Sequence, residues 1–307
     1  MNNSIYQHDP SGEKRNFVTP GVQHKYRETA LVYVSRNCHT VCDWCFRKRL
    51  FKGQSLPSDR IAQIGPALDY FKRHREIHSV LLSGGDALLA DRDYLQELIR
   101  GLEALDHIHS IRIGTRALVH DPDQYAARIP TGLTKRIFLV LHIVRPEEIR
   151  PGLRKVVDEF NRYGFLIQTP LLAGINDDAE TLAELWYAGT GARLQPYYVF
   201  QCRPAIGNER FMMSFRDGHE VFAGAQSRCT GVVKTPRWVM SNSTGKWEIV
   251  MVEDDDVLFR CHQCIDPDLV GEVRRGNADD CWWDLPAEDS VRRYLPTILA
   301  QRHASGA

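Results

Sequence analysis

Cys38-His39-Thr40-Val41-Cys42-Asp43-Trp44-Cys45 places three thiols at spacings of three and two intervening residues, directly after the apolar run Leu31-Val32-Tyr33-Val34. Thiolates are soft ligands that select iron–sulfur clusters, zinc or Cu(I). On a cubane [4Fe-4S] cluster, three cysteines hold three irons and leave the fourth open to a small molecule. A zinc knuckle would want a further His or Cys at matching spacing. Chance clustering of thiols is the bland alternative.

Outward from this stretch the chain reads as a βα alternation. Strand-like runs fall at 31–36, 79–83, 108–113, 136–143, 165–172 and 194–200, with helical segments between them at 58–75, 91–105, 122–129, 146–163 and 177–188. In 91–105, Tyr94, Leu95, Leu98, Ile99, Leu102 and Leu105 recur at the helical period. Pro151 breaks 146–163 into a turn and a longer helix. Parallel strands need crossover connections, so the alternation implies an α/β fold with a parallel sheet and helices outside. Chemistry then gathers where the loops leave the C-terminal ends of the strands. The cysteine loop, Ser83-Gly84-Gly85-Asp86, Thr115-Arg116, His142, Gln168 and Gln201-Cys202-Arg203 all fall at or near such ends.

CxxxCxxC with Trp44 before its last cysteine resembles the radical S-adenosylmethionine (SAM) superfamily. Together with Ser83–Asp86, Ile111–Arg116, Leu171–Asp177 and Gln195–Cys202, in that order, it resembles the lysine 2,3-aminomutase (KamA-like) family over roughly residues 24–250. The resemblance implies an open partial (βα)6 barrel, a [4Fe-4S] cluster on Cys38, Cys42 and Cys45, and reductive cleavage of SAM to a 5′-deoxyadenosyl radical. That radical takes hydrogen from an amino-acid-like substrate. SAM would be met by Trp44, by Ser83, Gly84 and Gly85, by Asp86 against its amino group, by Thr115 and Arg116 at its ribose and carboxylate, and by Gln168 at its nucleoside. Plainer readings are a strand-to-helix turn for the glycines, a solvated charge for Arg116 and a structural amide for Gln168.

The family moves an amino group between adjacent carbons with pyridoxal phosphate (PLP), which needs a lysine and a phosphate cradle. Lys234, in Gly231-Val232-Val233-Lys234-Thr235-Pro236, matches the family's PLP lysine, but the glycine run before it is reduced to Gly231. His24-Lys25-Tyr26 resembles the family's His-Arg-Tyr, leaving Lys25 and Tyr26 as phosphate or ring contacts; Thr29 stands where a further basic residue is expected. Arg47 matches the arginine that clamps the substrate's α-carboxylate. Arg203 and Ser227 stand where lysine aminomutases carry two aspartates for the distal ammonium. Like charge disfavours L-lysine beside Arg203, and a guanidinium suits a carboxylate or phosphate. The expected reaction is a 1,2-amino shift on a substrate other than L-lysine. The alternatives are a PLP-independent isomerisation, epimerisation or elimination on the same fold, and a non-catalytic iron–sulfur or zinc protein.

Charge balances at 39 basic and 39 acidic residues, so no global field points to nucleic acid. No apolar stretch approaches a membrane span, and Met1-Asn2-Asn3-Ser4 opens no signal-peptide core. Clustered thiols then suggest a cytoplasmic enzyme. An electron donor such as flavodoxin or ferredoxin is implied, and a homo-oligomer is compatible. The expected organisation is an N-terminal arm (1–23), a barrel (24–205) and a closing segment (206–307). In the last, 209–226 reads as a helix interrupted near Asp217-Gly218. A hairpin follows at 237–242 and 246–252 around Ser243-Thr244-Gly245, then a strand at 256–262. Cys229, Cys261-His262-Gln263-Cys264 and Cys281 form an incomplete ligand set for a second metal, or are incidental thiols; Trp282 and Trp283 dock the tail by burial.

Overall fold

The computed structural model describes residues 5–51 and 60–284. The alternation read from the sequence is present. β1 (Phe17–Thr19) and β2 (Val22–Tyr26) lead into β3 (Thr29–Ser35), which is followed by α1 (Ile64–Arg73), β4 (Ser79–Gly84), α2 (Arg92–Glu103) and β5 (Ser110–Thr115). Next come α3 (Ala117–His120), α4 (Pro122–Ala126), β6 (Arg136–His142), α5 (Pro151–Glu159), β7 (Gly164–Leu171), α6 (Ala179–Gly191) and β8 (Gln195–Gln201). α7 (Phe215–Arg228), β9 (Arg237–Ser241), β10 (Gly245–Glu253), β11 (Asp256–Cys264) and β12 (Val273–Asn277) complete the described chain.

One sheet carries the strands in sequence order, with neighbours from β3 to β9 parallel. β1–β3 and β9–β12 are antiparallel extensions. Among the described residues β1 and β12 are unjoined edges, so the α/β barrel is open. The helices form where local chemistry starts them. Asp91 caps α2 by accepting from Tyr94 N at 2.9 Å, and Leu95, Leu98, Ile99 and Leu102 bury the inner stripe. Pro151 occupies the first turn of α5, where its missing N–H costs nothing.

One reading is corrected. The segment 209–226 does not break near Gly218. A short 3₁₀ turn, Glu209–Phe211, precedes α7, which starts where Ser214 caps Asp217 N at 3.0 Å. Gly218 lies inside the helix, where a Cβ would stand 2.6 Å from the Trp238 ring, so the glycine serves close packing rather than a break. The hairpin is continuous with the barrel, since α7 serves as another crossover and β9 pairs parallel to β8. The arm joins the sheet: β2 pairs with β3, Val22 is wholly buried, and Glu13 is buried too.

The closing strands meet the arm across the open side. Lys25 Nζ donates to Asn242 O, and Gln263 donates to the Glu28 carboxylate. This contact positions the site, because it walls the side of the barrel that the parallel strands leave uncovered.

Candidate functional site

A cavity of about 350 Å³ opens inside the barrel toward the C-terminal strand ends. Its mouth carries Cys38, Cys42, Cys45 and Trp44, and its walls include Ser83–Asp86, Thr115, Arg116 and Gln168. Deeper in lie Lys25, Tyr26, Arg112, Arg203 and Lys246. The structure thus brings together every predicted site residue except Lys234.

The three thiols are partly buried. Burial first, then neighbouring acidic and thiol groups, pushes Cys38 up to about 12. Burial likewise pushes Cys42 up to about 11 and raises Cys45. Without a cation these groups stay protonated near neutrality. Two sulfurs on one zinc stand at most about 4.6 Å apart, twice the Zn–S bond. His24, His74 and Glu76 form the described set whose ligand atoms all lie within 4.8 Å of one another; the three cysteines are spread wider. As the side chains stand, the three sulfurs do not all reach one tetrahedral zinc.

The adjoining loops have other tasks than those expected of them. Gly84 has φ +113°, and a Cβ there would lie 2.3 Å from Ser35 O; at Gly85 it would lie 2.4 Å from Asn37 O. The glycines therefore let the loop after β4 dock on the stem of the cysteine loop, where Gly85 N and Asp86 N donate to Ser35 O and Asn37 O at 2.8 Å. Asp86 does not present its carboxylate to the cavity as a free charge. It accepts from Leu88 N (3.1 Å), Thr115 Oγ1 (2.7 Å), Arg116 N (2.7 Å) and Ala117 N (2.8 Å). Burial pushes its carboxyl above the ordinary range and these donors pull it back part of the way. Asp86 is a brace between the loops after β4 and β5. Asp86→Ala is expected to cost at least about 2 kcal/mol, because buried donors lose a charged acceptor; thermal unfolding of the apo-protein measures it.

Arg116 is also committed. It donates to His142 O at 2.9 Å, pairs with Glu148 at 2.6 Å and lies over the Trp44 ring. His142 accepts from Trp44 Nε1 at 3.1 Å; burial, then Arg116, hold it neutral. Arg47, expected as a carboxylate clamp, already holds a carboxylate. Glu13 lies 2.6 Å from Arg47 NH2 and 2.7 Å from Arg49 NH2, and accepts from Tyr33 OH at 3.0 Å. Burial opposes ionising Glu13, yet Arg47 and then Arg49 outweigh it and hold the carboxyl well below its usual range. The sequence carried no local sign of this pairing beyond two acids in the arm, Asp9 and Glu13, and the basic run Arg47-Lys48-Arg49.

The deep wall is cationic, and the cavity's carboxylate Glu13 is held by Arg47 and Arg49. Among the described residues no carboxylate comes within 4.0 Å of Lys25, Arg112, Arg203 or Lys246. Arg112 and Arg203 each bury an Nε without a partner. Arg203 packs 3.7 Å from the Phe46 ring centroid; burial lowers it to about 10, so it is charged at neutral pH.

Lys234 lies outside. Val233 is buried, Val233 N and Lys234 N both donate to Thr230 O, and Thr235 Oγ1 donates to Pro196 O at the start of β8. That turn leaves Lys234 exposed toward the strand starts, away from the cavity. The predicted attachment of PLP at this residue does not fit, whereas the unpartnered arginines do fit an anionic group. The second metal site is not assembled among the described residues. His262 is engaged by Tyr198 OH (2.6 Å) and Arg237 (3.1 Å), and Cys264 Sγ donates to Thr244 O. Cys229 and Cys281 join no set of three or more potential ligands. Trp283 does dock by burial, stacked 4.8 Å from Phe259. No described helix is long and apolar enough to cross a membrane.

No family model matches the chain. Among curated sequences it is 34% identical over 290 residues to a protein of Aquifex aeolicus (strain VF5) provisionally named L-lysine 2,3-aminomutase, covering 90% of this chain and 77% of that one. It is 32% identical to the L-lysine 2,3-aminomutase of Methanococcus maripaludis, with coverages of 89% and 66%. For that of Fusobacterium nucleatum the values are 33%, 73% and 53%. The chain thus spans between about half and three quarters of these relatives' lengths. A solved radical SAM methyltransferase from Sphaerobacter thermophilus superposes with TM-score 0.45 at 17% identity, over 69% of this chain and 66% of that one.

Proposed function

The chain belongs to the L-lysine 2,3-aminomutase family of radical SAM enzymes, and from that premise we propose that it performs a 1,2-amino shift on an amino acid whose distal group is acidic. When bound, the cluster and SAM supply a 5′-deoxyadenosyl radical by one-electron cleavage, and PLP supplies a π-system that delocalises the substrate radical. The chain's own residues do the rest. Cys38, Cys42 and Cys45 offer three sulfurs around one open position. The Asp86 brace and the docked glycines fix the loops beside it, and the arm and closing strands, in contact across the open side of the barrel, shield the reacting carbon from bulk water.

The observation that carries the reading is Arg203: a buried, charged guanidinium with no acidic partner among the described residues, facing the cavity. Beside it the ammonium of L-lysine would meet the like charge of the guanidinium, at a cost of about 4 kcal/mol per close pair at an effective dielectric near 20. A distal carboxylate or phosphate would gain a bidentate partner instead. The electron donor we assign is a small redox protein such as flavodoxin or ferredoxin.

With anaerobically reconstituted, reduced enzyme and SAM, L-glutamate or L-aspartate is expected to raise 5′-deoxyadenosine formation roughly tenfold or more above L-lysine, the ratio of about 1.4 kcal/mol of preference. Equal or greater formation with L-lysine contradicts the reading. A second reading, PLP-independent isomerisation or elimination, is favoured by the exclusion of Lys234 from the cavity and by Thr29 at the cavity wall. Substrate-dependent 5′-deoxyadenosine unaffected by removing all PLP would select it.

A further inference from the structure

Lys246 stands apart from the other amines among the described residues. It projects from β10, one of the strands that close the barrel, into the cavity, and is only 9% exposed. Its Nζ lies 4.3 Å from the Tyr198 ring centroid and 6.0 Å from that of Phe200. No hydrogen bond or ion pair holds it among the described residues. Lys25, the other buried lysine of the cavity, is tied to Ser11 O at 3.5 Å and to Asn242 O. Lys234 is outside.

We propose that Lys246 is the amine that condenses with an aldehyde in this cavity, the aldehyde being an aromatic phosphate ester of the pyridoxal phosphate class. The inference rests on reading the cavity as the reaction chamber. The Nζ lone pair adds to the aldehyde carbon, the nitrogen gives up its two protons, and the carbonyl oxygen leaves as water. A carbon–nitrogen double bond remains and nothing is oxidised or reduced. The residues around Lys246 suit each part of such a molecule. Tyr198 offers a ring face beside Nζ, and Arg112 and Arg203 offer unpartnered donors to a phosphate. The amine is available near neutrality because burial first, then Arg112, Arg203 and Lys25, lower its ammonium to about 7.

Full-length protein is incubated with PLP, reduced with borohydride and mapped by peptide mass. The pyridoxyl adduct is expected on Lys246. Lys246→Arg should lower total labelling roughly a hundredfold, because a guanidinium stays charged, while Lys234→Arg leaves it unchanged. Lys246→Met, matched in length and uncharged, checks that loss of labelling accompanies retained circular dichroism and thermal midpoint. An adduct on Lys234 or Lys25, or labelling no greater than that of denatured protein, overturns the assignment. The two readings fail separately. Substrate-dependent 5′-deoxyadenosine without an adduct removes only the lysine assignment. An adduct on Lys246 without any preference for acidic amino acids removes only the substrate class.

Discussion

Changing Cys38, Cys42 and Cys45 together to alanine is expected to reduce bound iron, sulfide and 5′-deoxyadenosine formation to background while leaving the fold in place. The three side chains sit at the cavity mouth, partly exposed, and belong to no hydrophobic core cluster. Their loss removes little packing, so the apo-protein's stability should move by no more than about 1 kcal/mol. Cluster binding should vanish, because all three sulfur donors of the motif are removed together. Cys202, a buried thiol that also lines the cavity, packs against Val144, Leu172 and Phe211. Retained iron in the triple variant, measured after anaerobic reconstitution, would show that the cluster lies elsewhere.

The second large effect concerns Glu13. Its carboxylate is the partner of two buried guanidiniums, Arg47 and Arg49. Glu13→Ala should destabilise the protein by about 3–5 kcal/mol, the cost of stranding buried charge. The pH dependence follows from the sign of the shift. The folded-state pKa of Glu13 is depressed below the ordinary value of 4.5, so its contribution is complete above that value and lost as pH falls further. Chemical denaturation of the wild type should therefore show stability falling below about pH 4.5, and Glu13→Gln should flatten that slope. An unchanged slope in Glu13→Gln would mean that the ion pair does not form.

The parallel strands were legible in the sequence to within two residues at either end, because each is an apolar run bounded by polar or glycine-containing turns. Helix starts were legible where an acid or proline marks the first turn, as at Asp91 and Pro151. Elements without such periodicity were not. β1 is three residues long, β2 has the polar sequence Val-Gln-His-Lys-Tyr, and β12 carries two arginines and a glycine. Each is specified by pairing with a neighbour rather than by its own pattern.

Within the site, the cysteine motif marked the cavity mouth because its spacing is itself the chemistry. Motif similarity was weaker on what each side chain does. Asp86 and Arg116 lie where the motifs place them, yet converging backbone N–H groups claim the first, and Glu148 claims the second. Lys234 holds the matching sequence position, but two valines replace the glycines before it, and burying Val233 turns the lysine outward. Glu13 and Arg47 are 34 residues apart, and only tertiary structure brings them together. Lys246 gave no signal, because a lysine in an alternating strand reads as solvent-facing until the opposite edge of the barrel covers it.

The central claim is that three sulfurs hold a cluster with one iron open to SAM. Low-temperature electron paramagnetic resonance of the reduced, anaerobically reconstituted full chain, with iron and sulfide quantified on the same sample, tests it most directly. About four irons and four sulfides per chain, with a signal whose shape changes on adding SAM, is the expected result. A signal indifferent to SAM, or zinc in place of iron at the same thiols, would contradict the account.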